Sequence, residues 1–217
     1  MKSDSQIQMD VMSELKWDTA VTHEHIGVAV RGGIVTLTGM VPSYVEKRAA
    51  ERAAQRVAGV RAVVEKIDVK LLESDYRDDQ NIADAVLSAF QWSVQVPDQM
   101  LRVAVSNGWV TLSGEVDWEY QKSAAEDAAR VLTGVKGIFN QISIKSRVQP
   151  SDVKEEIEQA LKRAVEREAE RIDIAVHGGR VVLTGVVRSF ADLRDVRGAA
   201  WNAPGVIEVE DHLTVAA

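Results

Sequence analysis

No cysteine occurs in the 217 residues, so neither disulfides nor thiolate metal sites can contribute, and the redox compartment is left open. An N-terminal apolar run is also missing, because residues 1–10 carry Asp4 and Asp10 where a secretory signal needs its hydrophobic segment. That predicts a cytoplasmic protein, with a periplasmic location as the alternative if the sequence begins after a removed signal. Long uncharged stretches are scarce as well. The longest, residues 32–45, is 14 residues and includes glycine, threonine and proline, too short and too polar to cross a bilayer as a helix. Positive charge is in deficit: 26 Lys and Arg stand against 33 Asp and Glu, and the net charge of −7 disfavours a broad grip on nucleic acid or on an anionic membrane. The deficit is uneven, with +1 over residues 1–72 and −4 over each of 73–149 and 150–217, so only the first third can easily approach an anionic surface.

What the chain does contain is one pattern written three times. Val30-Arg-Gly-Gly-Ile-Val-Thr-Leu-Thr-Gly-Met-Val41 returns as Val105-Ser-Asn-Gly-Trp-Val-Thr-Leu-Ser-Gly-Glu-Val116 and as Val176-His-Gly-Gly-Arg-Val-Val-Leu-Thr-Gly-Val-Val187. A repeat of this kind overrides the domain count suggested by length alone. We read three units, at residues 1–72, 79–146 and 150–217. With 46% hydrophobic and 27% charged residues, the composition is that of an ordinary globular protein.

Each unit opens with a helical pattern, at Ile7, Val11, Met12 and Leu15, at Ile82, Val86, Leu87 and Phe90, and at Val153, Ile157 and Leu161. Ser5, Asp79 and Ser151 are expected to cap these helices. Strict alternation follows, as in Ile26, Val28, Val30 and in Leu101, Val103, Val105, the period of a half-buried strand. The pairs 32–33, 107–108 and 178–179, with Gly33, Gly108 and Gly179 at their second positions, supply the positive φ angles of a two-residue hairpin turn. A returning strand ends on Gly39, Gly114 and Gly185, read as bend or close-packing positions. An alanine-rich helix comes next, with Ser43 and Glu46, and Ser189 and Asp192, fitting a capping box and Asp117 expected as the cap of the middle unit. Gly59, Gly134 and Gly205 mark its end. A third strand closes each unit. The predicted fold is therefore α+β: three tandem αββαβ units, each a small three-stranded mixed sheet with two helices on one face.

The words Val35-Thr-Leu-Thr-Gly39 with Gly59-Val60, Val110-Thr-Leu-Ser-Gly114 with Gly134-Val135, and Val181-Val-Leu-Thr-Gly185 with Gly205-Val206 resemble the signature of the BON (bacterial OsmY and nodulation) domain family. The chain is similar in particular to triple-BON bacterial proteins without a signal, described as transport-associated. Leu15-Lys-Trp17 and residues 114–120 are their characteristic words. The resemblance implies binding in place of catalysis: attachment to phospholipid surfaces, a link to osmotic and envelope stress, and in some members chaperone-like or potassium-sensing behaviour. It implies no cofactor.

The residues themselves offer little chemistry. His23, His25, His177 and His212 lack a metal-site spacing, and His23-x-His25 reads as a solvated connector. Thr36, Thr38 and Ser113 have no recurring base beside them. The turn glycines join two strands, whereas a phosphate loop joins a strand to a helix N-terminus. We expect no enzyme activity. Two binding candidates remain. Arg48, Arg52 and Arg56 recur every four residues along one stripe of the second helix, an anionic-surface candidate whose competing reading is a solvated face diluted by Glu46 and Glu51. Trp109, Trp118 and Tyr120 group around the second hairpin and read as a contact with a partner or between repeats, while Trp17 and Trp92 are expected to cover the ends of their own cores. The partner expected is an anionic phospholipid surface or another protein, with a homo-oligomer and a potassium or small-ligand sensor as alternatives, and no nucleic acid.

Overall fold

The computed structural model describes residues 2–145, 172–177, 179–203 and 206–215. In the first repeat, α1 (Asp4–Trp17) leads to β1 (Ile26–Arg31), β2 (Ile34–Val41), α2 (Tyr44–Gln55) and β3 (Ala62–Val69). The second repeats the order with α3 (Asp79–Trp92), β4 (Leu101–Ser106), β5 (Trp109–Val116), α4 (Glu119–Arg130) and β6 (Gly137–Ile144). In the third, β7 (Ile172–His177), β8 (Arg180–Val187), α5 (Phe190–Trp201) and β9 (Glu208–Val215) are described. The helical pattern at Val153, Ile157 and Leu161, the cap Ser151, and Gly178 and Gly205 lie outside the described residues.

Each sheet places its second strand in the centre, antiparallel to the first and parallel to the third. The connections dictate this. A two-residue turn can only return the chain antiparallel, whereas the helix between second and third strands carries it back over the sheet to enter in parallel. Alternation then sorts the side chains: Val35, Leu37 and Val41 of β2 are at most 2% exposed, while Ile34 and Met40 face outward. Against this inner face lie Ile7, Val11 and Leu15 of α1 and Ala50, Ala53 and Ala54 of α2, all buried. Alanine at these positions lets the helix backbone come close to the sheet, and burying each larger aliphatic side chain contributes about 1.5–3 kcal/mol.

Two backbone devices hold the repeats in shape. Gly39 has φ 135°, and a Cβ there would lie 2.0 Å from the carbonyl oxygen of His25; at Gly114 the same atom would lie 2.3 Å from that of Met100. Only glycine lets the first strand's entry cross so near. The second device ties helix to hairpin. Asp4 accepts hydrogen bonds from the amides of Gly32 and Gly33 at 2.7 and 2.9 Å, and Asp79 accepts from Asn107 and Gly108 at 2.8 and 2.9 Å.

That second use corrects the expected caps. Ser3 caps α1 and Asp78 caps α3, each accepting from the amide three residues on, because Asp79 is committed to the turn and Ser5 lies inside the helix. The boxes at the second helices are also partial. Ser43 accepts from Glu46 N, but the Glu46 carboxylate turns to Thr22 N at 2.6 Å. In the middle repeat the N-cap is Trp118 and not Asp117, and the Gln121 side chain accepts from the amides of both.

The repeats touch through one recurring position, the first residue of the second helix. Tyr44 of α2 is 9% exposed and belongs to the core of repeat 2. Phe190 of α5 packs against the core of repeat 1. Glu119 of α4 is near enough to Arg197 of repeat 3 for the two charges to attract. Residues 44, 119 and 190 are equivalent at the repeat offsets, so the contacts run from 1 to 2, from 2 to 3 and from 3 back to 1. Head-to-tail contacts that return to their start define a ring.

Candidate functional site

The arginine stripe is not a free charged surface. Arg56 donates from Nε to Glu14 at 2.7 Å and from Nη2 to Asp18 at 2.9 Å, tying α2 to α1. The Arg56 guanidinium in turn holds the Asp18 carboxyl below the usual carboxylate range. Arg48 is paired at 2.5 Å with Glu51, one turn along the same helix. Arg52 differs, since no carboxylate hydrogen-bonds to it among the described residues. Partial burial lowers its pKa most, followed by Arg130 of α4, Arg48, and then Arg194 of α5, with Asp18 opposing. Those arginines come from all three repeats. The stripe therefore divides into a structural clamp at Arg56, a same-helix pair at Arg48, and a partly buried Arg52 that has no hydrogen-bonded carboxylate among the described residues.

The aromatics are also redistributed. Trp109 opens β5 and Trp118 stands beyond its far end, so about 23 Å of strand separates their surroundings and no cluster forms at the hairpin. Trp109 instead stacks on Phe139 of β6, with ring centroids 5.0 Å apart and planes 20° from parallel. Its indole lies over Gly137, where a Cβ would stand 2.2 Å from the ring. The same pair of positions holds Ile34 and Val64 in repeat 1 and the ion-paired Arg180 and Glu210 in repeat 3. Trp118 and Tyr120, both exposed, flank Glu119 at the joint with repeat 3. The sequence reading missed Phe139 and the joint residues. Tyr, Glu and Phe at the first position of an alanine-rich helix were the available signal for the joint.

Trp17 and Trp92 overturn an expectation outright. They are 83% and 87% exposed, not closing over their cores, because α1 and α3 end at these residues and their rings project past the last buried turn. Val94, beside Trp92, is fully exposed as well. Large apolar side chains left this open at equivalent positions offer a surface for a partner.

Catalytic architecture is sparse among the described residues. No group of three or more His, Asp or Glu side chains is placed to hold a metal ion, and no helix is long and apolar enough to cross a membrane. Two clefts lined by described residues hold 220 and 140 Å³, below the ~300–1,000 Å³ of ordinary small-molecule sites.

Comparison with known proteins gives a consistent result. The BON domain family matches three times, over residues 3–70, 78–146 and 151–217. The osmotically-inducible protein Y of Escherichia coli (strain K12) is 29% identical over 146 residues, covering 65% of this chain and 73% of that protein. Among solved structures, the C-terminal domain of CdsD, the structural protein of the type III secretion system of Chlamydia trachomatis, aligns over 100% of both chains at 13% identity and a TM-score of 0.27. A second CdsD structure covers 96% of this chain and 91% of its own at 14% identity, also with a TM-score of 0.27. Scores that low carry no structural argument.

Proposed function

This chain belongs to the BON domain family, and from that premise we propose that it is a non-catalytic binding protein that attaches to phospholipid surfaces when the cell is under osmotic stress. The observation that carries the reading is the exposure of Trp17 and Trp92, at 83% and 87%, on equivalent helix ends. Indole favours the bilayer interface, where an apolar body and a polar N–H are both satisfied. Val94 and Met100 extend the apolar rim on the repeat 2 side. The similarity to an osmotically-inducible protein supports the stress setting.

With a net charge of −7, attraction between charges is not the main source of affinity. Binding through the tryptophans is accordingly expected to persist as salt rises, whereas binding through arginines weakens as their field is screened. Co-sedimentation with vesicles across a salt series tests the proposal. The parent pellets with both neutral and anionic vesicles, and W17A/W92A stays in the supernatant. Pelleting of the double variant at parental levels would refute the assignment. A second reading, a protein partner docked on the outer sheet face of repeat 2, is favoured by the exposed Trp109 and Phe139 stack.

A further inference from the structure

In every repeat one side chain bends back over the outer edge of the third strand. In a parallel pair, alternate residues turn both backbone groups to the neighbouring strand, and the residues between turn theirs away. Lys70 donates to Val41 O and Lys145 to Val116 O, so Ile67 of β3 and Ile142 of β6, of the other parity, direct their N–H and C=O away from β2 and β5. A side chain two residues earlier takes the outward N–H. Ile67 N donates to Glu65 Oε1, Ile142 N to Asn140 Oδ1 at 3.2 Å, and Leu213 N to Asp211 Oδ1 at 2.9 Å. Residues 65, 140 and 211 are equivalent at the repeat offsets. The second helix reinforces two of these contacts. Lys47 of α2 donates to Ile67 O at 2.7 Å and pairs with Glu65 at 2.9 Å, so both outward groups of Ile67 are occupied. Asn140 is steadied by α4, donating from Nδ2 to Lys122 O at 3.2 Å and to Glu126 at 3.0 Å.

Period 2 puts these three side chains on the helix-covered face, between Val63 and Ile67, Ile138 and Ile142, and Val209 and Leu213, where packing alone favours an aliphatic residue. A polar group at an inward edge position is one of the devices that blunt a sheet edge, whose outward amides and carbonyls otherwise template another strand. The three edges differ in how much they need it. β3 carries Glu65, Lys66 and Asp68, and β9 carries Glu208, Glu210 and Asp211, whereas Gly-Ile-Phe-Asn-Gln-Ile-Ser-Ile of β6 has no charged side chain and no proline. Uncharged segments of that length and β-propensity pair readily with their own copies. We propose that Asn140 is an edge lock that keeps β6 from pairing with β6 of a second copy of this chain, with Glu65 and Asp211 holding the same position on edges that charge already protects. The lock is independent of Trp17 and Trp92, and its test uses no lipid.

The test compares N140V, N140D and Q141V in the full chain by gel filtration with light scattering over a concentration series. N140V removes the acceptor and frees the Ile142 amide, so its mass is expected to rise to at least twice the parental value as concentration increases. N140D keeps an oxygen at the position, as Asp211 does in repeat 3, and holds the parental mass. Q141V adds the same apolar side chain to the outer face of β6 with the lock intact, and also holds the parental mass. Parental mass in N140V at every concentration, or an equal rise in Q141V, would overturn the proposal. A second variant pair reads the lock without relying on association or on the folding of N140V. On the charged edge of β3, E65V should speed amide exchange at Ile67 roughly tenfold while leaving the mass parental, and E65Q, which keeps the acceptor, should exchange as the parent does. Unchanged exchange at Ile67 in E65V would show that these side chains do not hold the outward amides, and the edge-lock reading would fall with it.

Discussion

Repeats 1 and 2 are built from helices and strands of the same five lengths, 14, 6, 8, 12 and 8 residues, and share the Asp clamp on the hairpin and the glycine crossing. They part company where each meets its neighbour. Tyr44 fills the core of repeat 2 with an aromatic ring, but Glu119, in the same place, brings a carboxyl group whose Oε2 is buried with no hydrogen-bond partner among the described residues. Burial raises the Glu119 pKa, with Lys122, Ser123 and Arg197 only partly countering it. The comparison teaches that positions fixing the backbone path are held alike, whereas positions facing the next repeat are free to differ and so set the strength of each joint.

The shared side of the comparison breaks most visibly at the glycines. G39A and G114A must each force a Cβ against a backbone carbonyl at a φ that side chains rarely adopt. Each should cost on the order of 3 kcal/mol in urea unfolding, and a cost near zero at either would show that the crossing is not what fixes the strand. The joint comes next. Y44A should destabilise by about 2–3 kcal/mol through the emptied volume, whereas E119F should stabilise by about 1 kcal/mol by removing an unpartnered buried oxygen. E119F melting below the parent would contradict this opposition of sign.

A pH series sharpens the same contrast. Glu119 holds its proton more tightly folded than unfolded, so its contribution to stability is full in acid and is lost as pH rises through its elevated value. Asp4 and Asp18 run the other way, being held ionised by the turn amides and by Arg56, and their contributions fade as pH falls through their depressed values. Comparing E119Q with the parent cancels these background groups. The gap in favour of E119Q should be largest at neutral pH and above and close in acid; a gap independent of pH would remove ionisation from the account. The smallest effect concerns the clamps. D4A should speed amide exchange at Gly32 and Gly33 and leave Asn107 and Gly108 unchanged, with D79A giving the mirror result. Spread of the effect to the other repeat would mean that the hairpins are not independent.

The sheet, its mixed topology and the two-helix layer were legible because period-2 and period-3.6 patterns and the turn glycines are local signals repeated three times. Packing between repeats was not, since Tyr44 and Phe190 look like ordinary half-exposed aromatics until the structure shows whose core they enter. Caps were misplaced by one or two residues because Asp79 can serve either a helix end or a hairpin turn, and only the folded geometry selects. The arginine stripe looked continuous because helical spacing says nothing about what lies opposite. Glu14 and Asp18, 42 and 38 residues away from Arg56 in sequence, claim it. Trp17 and Trp92 were assigned to the cores on the usual behaviour of tryptophan, and their exposure is what now carries the functional reading.

The most direct test of that reading is the depth of the tryptophans themselves. In a chain carrying W109F, W118F and W201F, excited at a wavelength that selects indole over tyrosine, only Trp17 and Trp92 contribute tryptophan emission. Vesicles with brominated acyl chains should quench and blue-shift this emission at both low and high salt. Emission unchanged by such vesicles, at a concentration where the lipid is in large excess, would contradict insertion of the tryptophans and with it the proposed attachment to phospholipid surfaces.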